Sequence, residues 1–408
     1  MRKRVFLLTM AVVLSLAFHF SSPATGKSKS MNRQGWHGLN AQALSRMIAE
    51  SGKGSPSYDP AHPPVAAFDW DNTVIKNDVG DATIFWMLAH DKILEPPRGD
   101  WRTTSPLLSD DAVASLRKAC SSLGEPGKPL ATSGMDAKGM ACADEIFAIY
   151  DGGKTTAGAK AWKDGARSEM IDPAYAWAVS LQAGYTPEEI KGFAEQAIEF
   201  NLANAIGAVQ RIGSNEGVTA YIRIYDQMRE LIAALQVAGF DIWVISASSQ
   251  PLVEAFALRV GISPDRVIGV RAVLDGKKRA TNGFLGCGPY ENNNHSLISY
   301  KQGKRCWLNK EVFGKRAASA QMNDRSPLVF AAGDSDTDLH FLKDAKVRLV
   351  LNRNKEELMC HAYAGMGKQP SSEGAWLVNP MFIGPKPKKV EPYECSKHGL
   401  PNQADKVY

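Results

Sequence analysis

Four short apolar runs, each closing on a polar residue, are separated along the chain by stretches of helical periodicity. Val65-Ala66-Ala67-Phe68 stops at Asp69, and Phe240 to Ile245 stops at Ser246. Leu328 to Ala332 opens onto Gly333-Asp334-Ser335-Asp336-Thr337-Asp338, and Arg348 to Leu351 is the fourth run. Unalternating runs of this length mark strands buried on both faces, as in a parallel sheet. Ile84 to about Gln210 reads as mostly helical, broken at Pro96-Pro97, Gly124 to Gly127 and Gly152-Gly153. Tyr225 to Ala238 is an amphipathic helix halted by Gly239, and Leu252 to Val260 is a second helix. Val267 to Leu274, the turn Asp275-Gly276 and Arg279 to Leu285 read as a hairpin. Upstream, Asn40 is placed to cap a helix from Ala41 to Ser51, with Leu44, Met47 and Ile48 at helical spacing, before a Gly/Pro/Ser linker to Pro64. Strands alternating with helices predict an α/β fold with function at the carboxyl ends of the strands.

The length, 408 residues, suits two or three domains. With 44% hydrophobic and 22% charged residues the composition is globular and excludes a disordered or fibrous chain. The net charge of +5 invites a nucleic-acid reading until it is located. Arg2, Lys3 and Arg4 precede the apolar run Val5 to Phe18 and the small-residue exit Ser22-Pro23-Ala24, the order of a secretory signal peptide. The run is shorter than the ~20 residues of a spanning helix, so no membrane span is expected after cleavage. Much of the positive excess leaves with that segment, so no nucleic-acid partner is expected. Six cysteines remain, with no CxxC and no His at ligand spacing, which argues against zinc. In an exported chain they can pair; connectivity stays open, as do buried free thiols. Sequential pairing would close loops of roughly 20 to 35 residues, each bridge contributing about 3 kcal/mol.

Three of the strand ends carry polar clusters. In Asp69-Trp70-Asp71-Asn72-Thr73, residues two apart in an extended segment point to one side, so both carboxylates can face one pocket. Such a pair suits a metal site or a nucleophile beside an acid. Asp334 and Asp338 stand at a second strand end, and oxygen-only ligands with room for phosphate favour Mg²⁺. Ser246-Ala247-Ser248 offers hydroxyls and amides to anionic oxygens. The Asp334-Asp336-Asp338 run is not an EF-hand, since Leu339 and Ala345 occupy the places of the loop's glycine and glutamate. Ser246 lacks a GxSxG elbow, and Ser51-Gly52-Lys53 lacks the first glycine of a P-loop.

These clusters resemble, in order, the four motifs of the haloacid dehalogenase superfamily: Asp69 to Thr73, then Ser246, then Gly303-Lys304, then Gly333-Asp334 through Asp338. The resemblance implies a Rossmann-like three-layer parallel sheet core with a large helical cap inserted between motifs I and II. It lies nearest the phosphoserine and phosphorylcholine phosphatase branch. It further implies Asp69 as nucleophile and Asp71 as acid and base. Mg²⁺ would sit on Asp69, the Asp71 carbonyl and Asp334. Ser246, Ala247 and Lys304 would hold the phosphate, and Thr73 and Asp338 would support them. Lys301 is a rival to Lys304, which is preferred because it follows Gly303. The corresponding division of the chain is residues 1–24 as signal, 25–64 as N-terminal helix and linker, 65–80 plus 222–385 as core, 81–221 as cap and 386–408 as C-terminal tail. The expectation is an exported, periplasmic or extracellular phosphomonoesterase acting on a small phosphomonoester. A phosphomutase or phosphotransferase using the same aspartate, and an inactive surface-binding relative, are the alternatives. Asp78 and Asp81 are candidates for a substrate's cationic group or else ordinary capping carboxylates. Trp86, Trp101, Trp162 and Trp177 with Tyr150, Tyr175 and Tyr185 could cage a quaternary ammonium or simply fill the cap's core.

Overall fold

The computed structural model describes residues 31–121, 123–134, 136–291, 295–367 and 375–408, so the expected export signal lies outside the described residues. Its centre is β1, Val65–Phe68, in which Ala66, Ala67 and Phe68 are wholly buried. Five further strands join it: β2 (Asp241–Ser249), β3 (Val267–Val270), β4 (Phe330–Gly333), β5 (Val347–Asn352) and β6 (Ala375–Pro380). The order across the sheet is β6-β5-β4-β1-β2-β3, all parallel. Register aligns the strand ends, because Phe68 pairs with Ala332 on one side and Val244 on the other. The register therefore brings the residues just after Phe68, Ala332 and Val244 to one level, although β2 itself runs on to Ser249. Asp334, Asp69 and Ser246 emerge side by side.

Alternate strand residues face opposite layers, as the pleat requires. Ala66, Phe68, Ile242 and Val244 pack with α1 (Asn40–Ser51), α7 (Asp226–Val237) and α8 (Gln250–Ala257), through Leu44, Leu231 and Phe256. Ala67, Trp243 and Ile245 face α9 (Gln302–Trp307), α11 (Leu339–Asp344) and α12 (Glu356–Gly365), through Trp307, Phe341 and Met359. Each such large side chain, fully buried, contributes roughly 1.5–3 kcal/mol relative to exposure.

A two-stranded antiparallel ribbon, Ile75–Lys76 with Arg223–Ile224, brackets the inserted segment. Between its arms run α2 (Val79–Ala89), α3 (Asp110–Cys120), α4 (Ala137–Gly152), α5 (Pro173–Ser180) and α6 (Pro187–Ala203), with their own cluster around Ile84, Trp101, Leu116, Ile146 and Trp177. The start of α6 carries a capping box between Thr186 and Glu189 with Pro187 in the first turn. Its Ile190, Ala194 and Ile198 turn toward the sheet's own cluster, so α6 ties the insert to the core. None of the described helices is long and apolar enough to cross a membrane.

Several elements differ from the sequence expectation. Asn40 lies inside α1 rather than capping it; its side-chain amide donates to Val378 O at 2.8 Å on the far sheet edge, and that contact draws it away from the helix end. Val267 to Val270 is not a hairpin arm but the buried edge strand β3, because all four residues find cover against β2 and α8. The hairpin is shorter, Ala272–Leu274 with Ala280–Phe284. The insert also contains an unexpected hairpin, Val209–Ile212 with Asn215–Thr219.

The disulfides are sequential: Cys120–Cys142, Cys287–Cys306 and Cys360–Cys395, and no described cysteine is free. The last one fastens the C-terminal segment to α12, and Tyr393, Cys395 and Val407 of that segment are buried. Its chain-entropy contribution is about 3–4 kcal/mol. A C360S/C395S double variant should therefore lose about that much stability in a urea titration under non-reducing conditions. An unchanged midpoint would mean that the segment is held by packing alone.

Candidate active site

The turn after β1 builds the first half of the site. Asp69 N donates to Ala332 O at 2.9 Å, continuing the sheet by one residue, after which Trp70 O accepts the amides of Thr73 and Val74. Trp70 is wholly buried against Phe256, which pins the turn between its two carboxylates. Asn72 adopts φ 61°, a left-handed conformation that Asn tolerates better than other side chains. Asn72 N donates to Asn77 O at 3.1 Å and its side-chain oxygen accepts from Asn77 N at 3.2 Å. Asp69, Asp71 and Thr73 are thereby gathered at one strand end.

Lys304 reaches Asp69 from α9. Its Nζ donates to Asp69 Oδ1 and to Asp338 Oδ1, each at 2.6 Å, and it is wholly buried. Burial alone would drive the ammonium's pKa down; the carboxylates of Asp338 and Asp69 more than reverse this, so Lys304 stays protonated. Burial and the neighbouring Asp338 push Asp69 well up, against the pull of Lys304. Two glycines make the arrangement possible. A Cβ on Gly303 would lie 1.9 Å from Ile298 O, and one on Gly333 would lie 2.6 Å from Asp338 Cβ. Lys301, the rival lysine, instead donates to Glu169 at 2.8 Å, away from the aspartates.

Thr73 Oγ1 lies 2.9 Å from both Asp69 Oδ2 and Asp334 Oδ1, so one hydroxyl spans two carboxylates. Asp69, Asp334 and Asp338 offer oxygens within 4.8 Å of one another. Asp338 is already committed, since its Oδ1 takes Lys304 and its Oδ2 takes the amides of Asp334 and Ser335 at 3.0 Å. The pair facing each other across Thr73, Asp69 and Asp334, is the part of this oxygen-only set that fits a hard divalent cation. Asp334 Oδ2 also accepts from Arg353 Nη1 at 2.5 Å.

Asp71 sits differently. Its Oδ1 accepts from Val79 N at 2.7 Å and its Oδ2 from Ser248 Oγ at 2.7 Å, with Ser246 Oγ at 3.4 Å. Ser246 Oγ also accepts from Ser248 N at 3.0 Å, and Ser246 O accepts from Ser299 at 2.6 Å. Burial, then repulsion from Asp78, raises the Asp71 pKa well above the usual carboxylate range. Among the described residues no basic side chain pairs with it.

Asp69, Asp71, Ser246, Lys304 and Asp334 line a pocket open to solvent, with Ala247, Tyr150, Tyr175 and Arg353 in its wall. It continues into a wider opening lined by Asp78, Asp81, Trp162 and Tyr300. Asp78 caps α2, accepting from Gly80 N at 2.7 Å and Asp81 N at 3.1 Å, so part of its role is structural. Asp81 accepts from the Tyr150 hydroxyl at 2.6 Å, and burial with Asp78 repulsion lifts its pKa to about 8. Most aromatics of the insert are core: Trp86, Trp101 and Trp177 are buried, and Tyr185 packs edge-on against Phe193. Only Tyr150, Tyr175 and Trp162 of that set reach the openings.

Sequence reasoning passed over Arg353 and gave Ser248 no separate role. Arg353 follows the polar end of β5, the same kind of position that drew attention to the aspartates, and that location was the available signal.

Residues 190–343 match the family model described as haloacid dehalogenase-like hydrolase. A phosphorylcholine phosphatase of Pseudomonas aeruginosa is 26% identical over 220 residues, covering 49% of this chain and 61% of that relative's length, less than two thirds. Among solved structures, a conserved protein of unknown function from Anaerococcus prevotii shares the fold, with a TM-score of 0.64 and 21% identity over 86% of this chain and 94% of that one. A substrate-bound phosphoserine phosphatase reaches a TM-score of only 0.31, with 11% identity over 71% of this chain and 85% of that one, too little to carry weight. The resemblance to the haloacid dehalogenase-like hydrolases, and the α/β parallel-sheet fold it implied, are borne out.

The close approach at Gly333 yields a direct check. Gly333→Ala should displace Asp338 from Lys304 and lower turnover of a phosphate ester at least tenfold, while the melting temperature falls by only a few degrees. Full activity in that variant would show that the Asp338–Lys304 contact is dispensable.

Proposed function

We propose that this chain is an exported phosphomonoesterase that works through an aspartyl-phosphate on Asp69. The observation that supports it best is the unequal setting of two carboxylates on one turn. Asp69 is bonded to a buried cation. Asp71, two residues on, is buried without one and accepts instead from Val79 N and Ser248 Oγ. Burial raises both carboxyls, and the rise is opposed by a full positive charge at Asp69 but only by neutral donors at Asp71. Two titratable groups whose surroundings differ in this way divide naturally into nucleophile and acid.

An Asp69 oxygen attacks phosphorus as the bond to the leaving oxygen breaks, and Asp71 delivers its proton to that oxygen. The alcohol departs with the proton, leaving phosphate esterified to Asp69. Asp71, now ionised, takes a proton from water as the water attacks the same phosphorus. The Asp69–phosphorus bond breaks, and phosphate is released. Splitting the displacement lets one aspartate serve as acid and then as base. Lys304 neutralises Asp69 and the approaching phosphate, and Asp338 keeps the lysine aimed. Ser246, Ser248 and the Ala247 amide, in the wall of the same pocket, would hold the phosphoryl oxygens. Mg²⁺, held by Asp69, Asp334 and the Asp71 carbonyl, would supply charge neutralisation between carboxylate and phosphate.

The insert of residues 81–221 is the cap on this reading. The acidic wall beneath it, Asp78 and Asp81 beside Tyr150 and Tyr175, suits a small ester with a cationic organic part, such as phosphorylcholine or a phosphoserine-like compound. Three disulfides fit an oxidising compartment, periplasmic or extracellular.

p-Nitrophenyl phosphate hydrolysis with added Mg²⁺, and again with EDTA, tests the chemistry. Turnover should require the metal and fall by about 10³-fold or more in Asp69→Asn; activity surviving in that variant would remove Asp69 as nucleophile. Substrate choice has a pH signature. Asp81 is protonated below about pH 8, and a cationic substrate favours its ionised form. The KM for phosphorylcholine relative to p-nitrophenyl phosphate should therefore fall as pH rises from 7 to 9, and Asp81→Asn should flatten that ratio. A ratio independent of pH in the parent enzyme would exclude Asp81 from substrate binding.

A further inference from the structure

The C-terminal segment, given no role by the sequence, reaches the active site through a single residue. Arg353 follows β5 and lies between Asn352 and Asn354, and both asparagines are held by that segment. Asn352 Nδ2 donates to Val407 O at 2.6 Å and to Asp405 Oδ1 at 3.2 Å. Asn354 Oδ1 accepts from the Tyr393 hydroxyl at 2.7 Å, and Asn354 Nδ2 donates to Pro387 O at 3.2 Å. Asn354 N closes on Asn352 Oδ1 at 2.8 Å, and Asn354 adopts φ 58°, a turn that throws the residue between them outward. The clamp is itself anchored: Asp405 accepts from Tyr363 Oη at 2.5 Å and from Lys389 N at 2.9 Å, and Cys395 is bonded to Cys360. Asn352, Tyr393 and Asp405 are all buried.

Arg353 enters the pocket lined by Asp69, Ser246 and Lys304, and Asp334 fixes one of its nitrogens, Nη1. Among the described residues its other guanidinium nitrogens have no hydrogen-bond partner. Lys304, by contrast, spends two of its three N–H donors on carboxylates. Of the described basic side chains of this pocket, Arg353 has the more donors free, and the planar fork of a guanidinium matches two oxygens of a phosphate.

We propose that Arg353 binds the phosphoryl oxygens of the substrate, and that the C-terminal segment is the strap that holds it there. This rests on the phosphomonoesterase reading and deepens it. Asn352, Asn354 and Tyr393 are positioning residues; Arg353 is the one that touches the ligand.

The test uses inorganic phosphate on the full chain with Mg²⁺ saturating, as a competitive inhibitor of p-nitrophenyl phosphate and as a calorimetric ligand. Losing charge-assisted hydrogen bonds, Arg353→Met should weaken phosphate binding about 10- to 100-fold and raise KM alongside. Arg353→Lys, keeping charge without the fork, should recover part of the loss. Tyr393→Phe should shift phosphate affinity in the same direction by about threefold, with the melting temperature within a few degrees of the parent. Phosphate affinity within twofold of the parent in Arg353→Met would overturn the proposal. So would a defect that vanishes as Mg²⁺ is raised, since Arg353 would then act only through Asp334. A KM change confined to phosphoserine, with inorganic phosphate unaffected, would equally overturn it by placing Arg353 on a substrate carboxylate. Failure of the underlying reading looks different: Asp69→Asn would retain turnover whatever Arg353 does.

Discussion

A lysine ammonium sealed between two carboxylates, with all three groups buried, is the constraint around which this fold is arranged. Taking such charges out of water costs several kcal/mol each, and the loss is recovered only when geometry is close and the remaining oxygens are satisfied. Here Lys304 meets Asp69 and Asp338 at 2.6 Å each, and Asp338 gives its second oxygen to two backbone amides. That demands strand ends level to within a residue, which the Phe68 register with Ala332 and Val244 provides. It also demands two positions with no Cβ, Gly303 and Gly333. A sheet slipped by one residue would leave a buried charge unpaired, so the electrostatics and the topology specify each other.

The parts legible in the sequence are those whose signal is local. β1, β2, β4 and β5 announce themselves because a strand buried on both faces is an uninterrupted apolar run, and a polar residue at its end has few reasons to be there except chemistry. β3 and β6 were harder. Val267-Ile268-Gly269-Val270 runs straight into the following hairpin, and only its tertiary partner β2 separates the two. Ala375 to Pro380 mixes apolar residues with Asn379 and Pro380, whose places are set by contacts with the N-terminal region rather than by pattern: Asn379 Oδ1 accepts from His37 N at 2.7 Å. Asn40 illustrates the same limit, since the best capping residue near α1 was claimed by a strand more than three hundred positions away. Arg353 has only its place after a strand to mark it, and that place alone does not separate it from a solvated arginine; its meaning lies in what it faces.

The site also has an internal division that residue types alone do not reveal. The aspartates in and around the pocket fall into two circuits. Asp69, Asp334 and Asp338 are bonded to Lys304 or Arg353 and so stand in a field that already contains positive charge. Asp71, Asp78 and Asp81 lie toward the insert, where their hydrogen bonds come from backbone amides, a serine hydroxyl and a tyrosine; burial raises the pKa values of these three and of Asp69 and Asp338 alike, so the division lies in the partners. The first circuit suits an incoming anion and a metal. On the proposed reading the second would serve proton delivery and a cationic leaving group, and the boundary between them runs through the turn at Asn72.

Holding two cations in fixed positions among so many carboxylates requires rigid supports, and the disulfides supply them at the relevant places. Cys306 lies two residues beyond Lys304 on the same helix, so its bond to Cys287 stiffens the element that carries the first cation. Cys395 lies two residues beyond Tyr393, whose hydroxyl holds the turn carrying the second, and its bond to Cys360 ties that strap to α12. The third bond, Cys120–Cys142, joins α3 to α4 within the insert and touches neither cation. Two of the three covalent links thus reinforce the presentation of charge rather than the bulk of the core. In an oxidising compartment such links persist, and they add to the packing already given by Trp307 on α9 and by Tyr393 and Val407 on the strap. Apolar burial holds those elements against the sheet, and the covalent bonds then fix the positions two residues from Lys304 and from Tyr393, where a charged side chain has to be held still.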